Sequence, residues 1–281
     1  MWAIFALLSA LGWAIAHAYA KKAMHKAGIG ELFIIWLRYV FALPFLLPFA
    51  LSMDVPHLSK KFFMLHLAWI PFESLALYLS LKAIRISPFS LVMPLLSFTP
   101  LFLIFTAWIG LGEIASIYKI PGILLVVFGS YVLGTGRTRV PFGRLISEKG
   151  AILMLITAFL YSITSVAGKA LVLETNPVFF SVYYGIVMTI VFSPLALANR
   201  KGDVRAAKKE LIIAGLAYAM MILSHMFAVQ LGKVAYVIAL KRLSGLFSVV
   251  FGKLLFDEEE IRERMLGAAI MVLGAIIIAL A

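Results

Sequence analysis

Long apolar runs separated by short polar connections dominate the hydrophobic pattern of this chain. A helix that spans a membrane needs about 20 mostly apolar residues. Strands of a membrane β-barrel would instead alternate with period two, which these continuous runs do not do. The pattern therefore predicts an all-α membrane protein with ten transmembrane helices. The ten runs are residues 2–20, 31–51, 62–81, 88–111, 117–135, 150–172, 178–198, 211–231, 234–256 and 265–281.

The composition supports the membrane prediction. Of the 281 residues, 63% are hydrophobic and 14% are charged, whereas soluble domains average about 25% charged residues. The absence of cysteine excludes disulfides, thiolate nucleophiles and cysteine metal sites. A net charge of +12 would favour nucleic acid in a soluble protein, but here most Lys and Arg residues lie between the apolar runs. We therefore expect a lipid bilayer around the chain, with no nucleic acid partner, metal or cofactor.

The ten runs form two sets of five with related sequences. Residues 96–102, Leu-Ser-Phe-Thr-Pro-Leu-Phe, align with residues 241–247, Lys-Arg-Leu-Ser-Gly-Leu-Phe, at an offset of 145. Pro48 aligns with Pro194 at an offset of 146. Further aligned pairs are Trp13 with Tyr161, His17 with Ser165, Lys21 with Lys169, Glu113 with Glu258, Gly122 with Gly267 and Gly129 with Gly274.

Five helices per repeat is an odd number, so the second repeat must enter the membrane from the opposite face. This is an inverted-topology repeat, and transporters of this kind place their sites near the midplane, where the repeats meet. We predict a first five-helix repeat at 1–136, a connecting loop at 137–149 and a second five-helix repeat at 150–281.

The distribution of Lys and Arg predicts the orientation in the membrane. Of these 25 residues, 17 fall around the connections 1–2, 3–4, 5–6, 7–8 and 9–10, and five fall around the other four connections. An excess of positive charge marks the cytoplasmic side. Both termini are therefore predicted to lie outside.

Lys241 and Arg242 stand side by side within the ninth run. One charged residue in mid-membrane costs about 2.5–3.5 kcal/mol on insertion scales, so two would cost about 5–7 kcal/mol unless something compensated them. Arg offers a planar fork for phosphate or carboxylate, and Lys offers a compact charge. The pair either binds a substrate anion in a polar cavity or forms a structural ion pair with Glu73. Ser244 and Ser248 continue a small, polar helical stripe from Lys241, which suits a cavity wall or helix packing.

Glu73 is the one acidic residue of 13 that lies well inside a run. It can carry a coupled proton, recognise an amine or neutralise Arg242 when the site is empty. The structural alternative is a permanent salt bridge to Arg38 or to the Lys241–Arg242 pair. Arg38 itself is expected to be structural.

Two aligned helical stripes combine aromatic, polar and basic residues. Trp13 and His17 lie four residues apart in the first run, and Tyr161 and Ser165 repeat that spacing in the sixth. Such stripes suit two walls of one cavity, although ordinary packing with interfacial anchors gives the same pattern. In the eighth run, Tyr218 and His225 share a face, and His225 either shuttles a proton or serves packing.

Glycines recur at a spacing of seven residues in the fifth and tenth runs. Small residues at this spacing permit close approach of helices. They predict either internal packing or a homodimer through the fifth and tenth helices, and the pattern alone favours neither. The glycines concerned are Gly122, Gly129, Gly267 and Gly274.

The doubled five-helix unit and its recurring ending resemble the drug/metabolite transporter superfamily, EamA type. The ending comprises the aligned blocks 96–102 and 241–247, each followed by an acidic residue and paired glycines. The resemblance implies that the fourth and ninth helices line a central cavity and that the fifth and tenth lie outside it. Many ten-helix members have cytosolic termini, in contrast to the orientation that the Lys and Arg distribution predicts. Leu240-Lys241-Arg242 also resembles the Lys-Arg pair with which plastid triose-phosphate translocators grip phosphate, and nucleotide-sugar transporters have a Lys in a similar ninth-helix motif.

These observations favour a multi-pass secondary transporter, expected in the cell membrane, that moves a small organic anion by alternating access. No GxxxxGK[ST] nucleotide-binding loop occurs, so a gradient, a coupled proton or a counter-substrate would drive transport. An alternative is an exporter of amino acids or other zwitterions, with Glu73 binding the amine. A lipid flippase is a further alternative. A membrane-embedded enzyme is disfavoured because HExxH, GxSxG and cysteine are all missing, and no catalytic residue is predicted.

Overall fold

The structure is a computed structural model that describes residues 1–51, 54–86, 93–135, 148–256 and 261–280. Within these ranges every regular element is helical, which confirms the predicted helical class. A short 3₁₀ helix, Met93–Phe98, precedes α4. The α-helices are α1 (Trp2–Ala27), α2 (Glu31–Ala50), α3 (Lys60–Ile86), α4 (Thr99–Leu111), α5 (Ile120–Thr135), α6 (Lys149–Glu174), α7 (Pro177–Ala198), α8 (Lys208–Leu231), α9 (Val234–Lys241), α10 (Ser244–Phe256) and α11 (Ile261–Leu280).

Six described helices are long and apolar enough to cross a membrane, namely α1, α2, α3, α6, α7 and α8. The fourth, fifth and tenth predicted segments form shorter apolar helices, which include α4, α5 and α11. Together α9 and α10 occupy the ninth predicted segment. Most of the predicted connecting loop 137–149 lies outside the described residues, as does the start of the fourth segment at 88–92.

The first helix is longer than its apolar run predicts, because α1 continues past residue 20 to Ala27. Lys21, Lys22 and Lys26 therefore belong to its last turns. Cations near a helix C-terminus interact favourably with the helix dipole, so a polar sequence can extend the helix there. Gly28 ends α1 in the left-handed conformation with φ 62°, which glycine adopts without steric cost.

The ninth segment is not the continuous helix predicted over 234–256. The helix α9 ends at Lys241, Arg242 and Leu243 form a tight turn, and α10 begins at Ser244. In this turn i→i−3 bonds appear, such as Leu243 N–H to Leu240 O at 3.0 Å. The fourth segment changes from 3₁₀ to α-helix at Thr99, the residue that aligns with Ser244. Both repeats are therefore interrupted at equivalent positions, and such 3₁₀ stretches often mark functional hinges.

The contacts between helices repeat in a two-fold manner. The helix α1 packs on α8, and α3 packs on α6 in the same way. Exchange of the two repeats converts the first of these contacts into the second. The α2–α7 and α5–α11 contacts convert into themselves under the same exchange. Each of these two pairs is formed by one helix of each repeat, and the pseudo-two-fold axis therefore passes between its two helices.

The paired glycines of α5 and α11 contact each other inside the molecule. A Cβ atom added to Gly122 would lie 2.7 Å from Gly274 O, and one added to Gly129 would lie 2.8 Å from Gly267 O. Both distances are too short for a side chain, so the two backbones can approach this closely because these positions are glycine. The glycine faces therefore serve internal packing. The homodimer through the fifth and tenth helices remains a prediction, and it would need other faces of these helices.

Candidate substrate cavity

A cavity lies between α1, α3, α6, α7, α8 and the turn that ends α9. Its volume, measured as the space open to the centre of a water molecule, is about 90 Å³. Eight of the eleven residues predicted to bind substrate line it: Lys241, Arg242, Glu73, Trp13, Tyr161, Ser165, Tyr218 and His225. His17, Ser244 and Ser248 are not among the lining residues.

The lining residues that the second repeat contributes lie toward one face of the molecule. Those of α6 (161–169) and α8 (218–229) lie from the middle of their helices toward the C-terminal ends, whereas Phe180 and Tyr184 lie near the start of α7. Successive helices run in opposite directions, so these halves lie toward the same face of the protein. The predicted orientation makes this the outer face.

Lys241 reaches the cavity from the last residue of α9. Its ammonium lies 4.8 Å from the ring centroid of Trp13, which is the geometry of a cation–π contact. No acidic side chain in the described part of the chain lies within 4.0 Å of this ammonium. The aromatic ring holds the charge in position without neutralising it.

Arg242, at the interruption of the ninth segment, contacts Thr99 at the interruption of the fourth. Its Nη2 donates to Thr99 Oγ1 at 3.0 Å, and Thr99 donates its own hydroxyl hydrogen to Leu96 O at 2.6 Å. The Nε of Arg242 is buried and has no hydrogen-bond partner among the described residues. This guanidinium is thus fixed by one contact and retains unused N–H groups, as a site for an anion requires.

Glu73 forms no ion pair with Arg38, Lys241 or Arg242 among the described residues. The hydroxyl of Tyr184 donates to Glu73 Oε1 at 3.3 Å. Tyr184 Oη is 3.0 Å from Tyr39 Oη, and Tyr218 donates to Tyr39 at 3.1 Å. Glu73 is therefore held by a hydrogen bond from a tyrosine and not by a salt bridge. We call the three linked tyrosines, Tyr184, Tyr39 and Tyr218, the tyrosine chain.

Arg38 lies beside the far end of the tyrosine chain. Its guanidinium carbon is 4.9 Å from the ring centroid of Tyr218, and its Nη1 is 3.2 Å from His17 Nε2. His17 Nδ1 is 2.9 Å from the carbonyl oxygen of Trp13, so Nδ1 carries the hydrogen and Nε2 accepts from Arg38. This pattern needs a neutral imidazole, which gives His17 the role of orienting Arg38 beside the cavity.

Ser244 and Ser248 do not lie on the cavity wall, because the turn at Arg242 and Leu243 interrupts the predicted helix. The predicted stripe assumed one continuous helix, in which residues three, four and seven positions after Lys241 share its face. The interruption changes that geometry, and neither serine lines the cavity. His225 does line the cavity, and its buried Nδ1 has no hydrogen-bond partner in the described part of the protein.

An ion pair between Lys169 and Glu113 lies at the edge of the cavity, and the sequence pattern did not place it in the site. Lys169 lines the cavity, contacts Glu113 and donates to Gly232 O at 2.6 Å. Glu113 Oε2 accepts from the N–H of Val234 at 2.8 Å, at the start of α9. The alignment of Lys169 with Lys21 was a sign of its importance, but the contact with Glu113 depends on the fold. Trp69, Thr164, Phe180 and Tyr184 are further lining residues that the sequence analysis missed.

Comparison with known proteins identifies the family. The model of the EamA-like transporter family matches twice, over residues 1–135 and 148–280. A solved structure described as "Crystal structure of protein" is similar in fold, with a TM-score of 0.76 and 13% sequence identity, over 97% of this chain and 98% of that chain. No curated protein sequence matches the chain. This family match confirms the prediction that the protein is a small-molecule transporter embedded in lipid and not an enzyme. The chain belongs to the EamA-like transporter family, within the drug/metabolite transporter superfamily.

Proposed function

We propose that this protein is a secondary transporter for a small organic anion that carries a phosphate or carboxylate group. The observation that carries the proposal is the position of Lys241 and Arg242, which line the cavity with no acidic side chain in the described residues within 4.0 Å. Two cations in a membrane interior are costly unless an anion or water meets them. A substrate anion supplies that compensation when it binds.

The two cations offer complementary contacts to an anion. Arg242 presents N–H groups in a planar fork, oriented by Thr99, whereas the Lys241 ammonium is a compact charge beside Trp13. Tyr161 and His225 on neighbouring walls add hydrogen-bonding groups, although their contact with substrate is part of the proposal. Alternating access then requires that the two related repeats move around this cavity. A gradient, a coupled proton or a counter-substrate would drive the movement, in the cell membrane.

A second candidate substrate is a zwitterion such as an amino acid. Glu73 lines the same cavity as Lys241 and Arg242 and is not paired with either of them. A zwitterion would place its carboxylate at Arg242 and its amine at Glu73. The two candidates differ in one respect, since only the zwitterion requires the Glu73 carboxylate for binding.

Counterflow in proteoliposomes tests the proposal with labelled organic phosphates, carboxylates and amino acids. We expect saturable counterflow of at least one anion, and a loss of tenfold or more in Lys241→Ala and Arg242→Ala, since a hydrogen bond to a charged group contributes about 1.5–3 kcal/mol. Ser248→Ala is the control, because Ser248 does not line the cavity. Glu73→Gln separates the candidates, since it should abolish amino acid counterflow and spare that of a simple anion. Unchanged anion counterflow in both alanine variants would refute the binding site.

A further inference from the structure

The tyrosine chain connects the two repeats at every link. Glu73 and Tyr39 belong to the first repeat, whereas Tyr184 and Tyr218 belong to the second. The three hydrogen bonds, Glu73–Tyr184, Tyr184–Tyr39 and Tyr39–Tyr218, therefore each cross from one repeat to the other. Tyr39 is 0% exposed and Tyr218 is 1% exposed, so these bonds lie in the interior.

The chain also follows the internal symmetry of the protein. Tyr39 and Tyr184 are 145 positions apart, within one position of the offset that aligns Pro48 with Pro194. The same offset of 145 places Glu73 opposite Tyr218. The chain is thus approximately symmetric about the Tyr39–Tyr184 bond except at its ends, where the first repeat has a carboxylate and the second has a phenol. A contact between nearly equivalent positions lies where the two repeats meet, and alternating access must change the contacts there.

The direction of donation in the chain follows from its two ends. Tyr184 donates to Glu73, so it accepts from Tyr39, and Tyr39 in turn accepts from Tyr218. All three hydroxyl hydrogens therefore point toward the carboxylate. The Arg38 guanidinium lies beside Tyr218 at the other end. The O–H dipoles are aligned from a cation to an anion, and hydrogen bonds in such chains strengthen one another.

We propose that Tyr184, Tyr39 and Tyr218 are positioning residues that couple the charge of Glu73 to the contact between the two repeats. This inference deepens the proposed transport function, because it assigns Glu73 as the group that takes up a coupled proton. The ionised carboxylate accepts from Tyr184 and stabilises the conformation described here. Protonation of Glu73 removes that charge, which weakens the tyrosine chain and favours the alternative conformation.

The chemistry of the proton step is simple. One proton from the cavity binds the Glu73 carboxylate. The ionised carboxylate can only accept hydrogen bonds, whereas the protonated carboxyl group can also donate one. If it donates to Tyr184, each tyrosine must reverse, and the Tyr218 hydroxyl then loses Tyr39 as its acceptor. If the chain does not reverse, the first link becomes a neutral hydrogen bond, which is weaker than a charge-assisted one. Either outcome loosens contacts between the repeats.

Several titratable or charged groups line the same cavity and must be separated from Glu73 in any pH experiment. They come from every element that faces it there: Tyr161 and Lys169 on α6, Tyr184 on α7, Tyr218 and His225 on α8, Lys241 at the end of α9, and Arg242 in the turn after it. A response that disappears in Glu73→Gln, with all of these groups retained, belongs to Glu73.

The chain contains no cysteine, so one introduced thiol reports on the cavity without background. Gly168 lines the cavity, and a Cβ atom added there would meet nothing within 4 Å. We therefore choose Gly168→Cys and measure its rate of alkylation by a membrane-impermeant maleimide as pH is varied. An exposed reference thiol, Gln230→Cys, corrects for the pH dependence of the reagent.

With Glu73 intact, the normalised rate should fall about fivefold as pH is lowered, the difference between a charge-assisted and a neutral hydrogen bond. Glu73→Gln should stay at the low-pH rate throughout. Tyr39→Phe, which removes two links without touching Glu73, should reduce the response below about twofold. Tyr183→Phe is the matched control, because its ring packs on Phe62 and His66 outside the chain, and it should keep the full response.

Three outcomes overturn the inference: a fivefold response retained in Tyr39→Phe, the same pH profile in Glu73→Gln, or no alkylation of Gly168→Cys at any pH. If Tyr39→Phe does not fold, Tyr184→Phe breaks the link to Glu73 itself and decides the matter in the same way. The assay needs no substrate. A transporter whose anion counterflow depends on Lys241 and Arg242 can therefore fail this test, and a protein that passes it can still fail the counterflow test.

Discussion

At the scale of single residues, Lys241 and Arg242 are each contacted by a neutral side chain of the first repeat. Two adjacent charges inside an apolar run identify Lys241 and Arg242, because burial of charge is costly wherever the chain folds. Their contacts with Trp13 and Thr99 join positions far apart in sequence. Which residue compensates a charge thus depends on tertiary structure, and the expected pairing with Glu73 could not be decided from one sequence.

The hydrogen bond from Arg242 to Thr99 gives a prediction about affinity. Thr99→Val keeps the shape of the side chain and removes the acceptor that orients the guanidinium. We expect the apparent affinity for the transported anion, measured in counterflow, to fall about tenfold. Thr106→Val is the control within α4, since the Thr106 hydroxyl donates to Phe102 O instead. Equal affinities in the two variants would mean that Thr99 does not position Arg242.

At the scale of helices, hydrophobic length predicted the elements and missed the interruptions of the fourth and ninth segments. The fourth segment carries Pro100 near the start of α4, where a residue without an N–H fits a helix beginning. Gly245 occupies the aligned position of the ninth segment, so no proline marks the turn at Arg242 there. Apolar length predicted a continuous helix in both segments, so the sequence analysis anticipated neither interruption.

The glycine contact between α5 and α11 predicts a loss of stability. A Cβ atom at Gly129 would lie 2.7 Å from Met271 N, so Gly129→Ala must push the helices apart. Overpacking of this kind costs about 1–3 kcal/mol, and the Tm in detergent should fall by several degrees. Gly168→Ala introduces the same methyl group into open space and should leave the Tm equal or higher. A similar loss in both variants would argue against close α5–α11 packing.

At the scale of the whole molecule, the sequence repeat predicted the symmetry, and the structure adds an ion pair between the repeats at the cavity. The pair of Lys169 and Glu113 joins the second repeat to the first at one end of the cavity. Glu113 also caps α9 through the Val234 N–H. These contacts could not be predicted from periodicity, because they depend on how two helix ends and a connection converge.

The coupling between Lys169 and Glu113 can be measured with a double-mutant cycle. Removal of one partner of a buried ion pair leaves an uncompensated charge and costs more than removal of both. We therefore expect Lys169→Met to lower the Tm more than the double variant Lys169→Met/Glu113→Gln does. Additive effects would show that the two side chains do not interact in the membrane. Lys61→Met is the control, because its pair with Glu174 is more exposed than the Lys169–Glu113 pair.

The predicted orientation has a direct test in cells. The Lys and Arg distribution places the end of α8 outside and the start of the connection after α7 inside. A membrane-impermeant maleimide should label Gln230→Cys in intact cells, and it should label Asn199→Cys after permeabilisation alone. The opposite pattern would place the termini in the cytosol, as in many relatives.

The crosswise contact of the glycines has a consequence for the origin and engineering of this fold. Gly122 meets Gly274 and Gly129 meets Gly267, so each partner position is the repeat mate of the other contact. This is the rule of an isologous interface, in which one surface patch is complementary to itself. The chain is in this sense a dimer of five-helix units made permanent by fusion. Its halves, 1–135 and 148–281, expressed as two polypeptides, should reassemble, because these contacts do not require the covalent link between them.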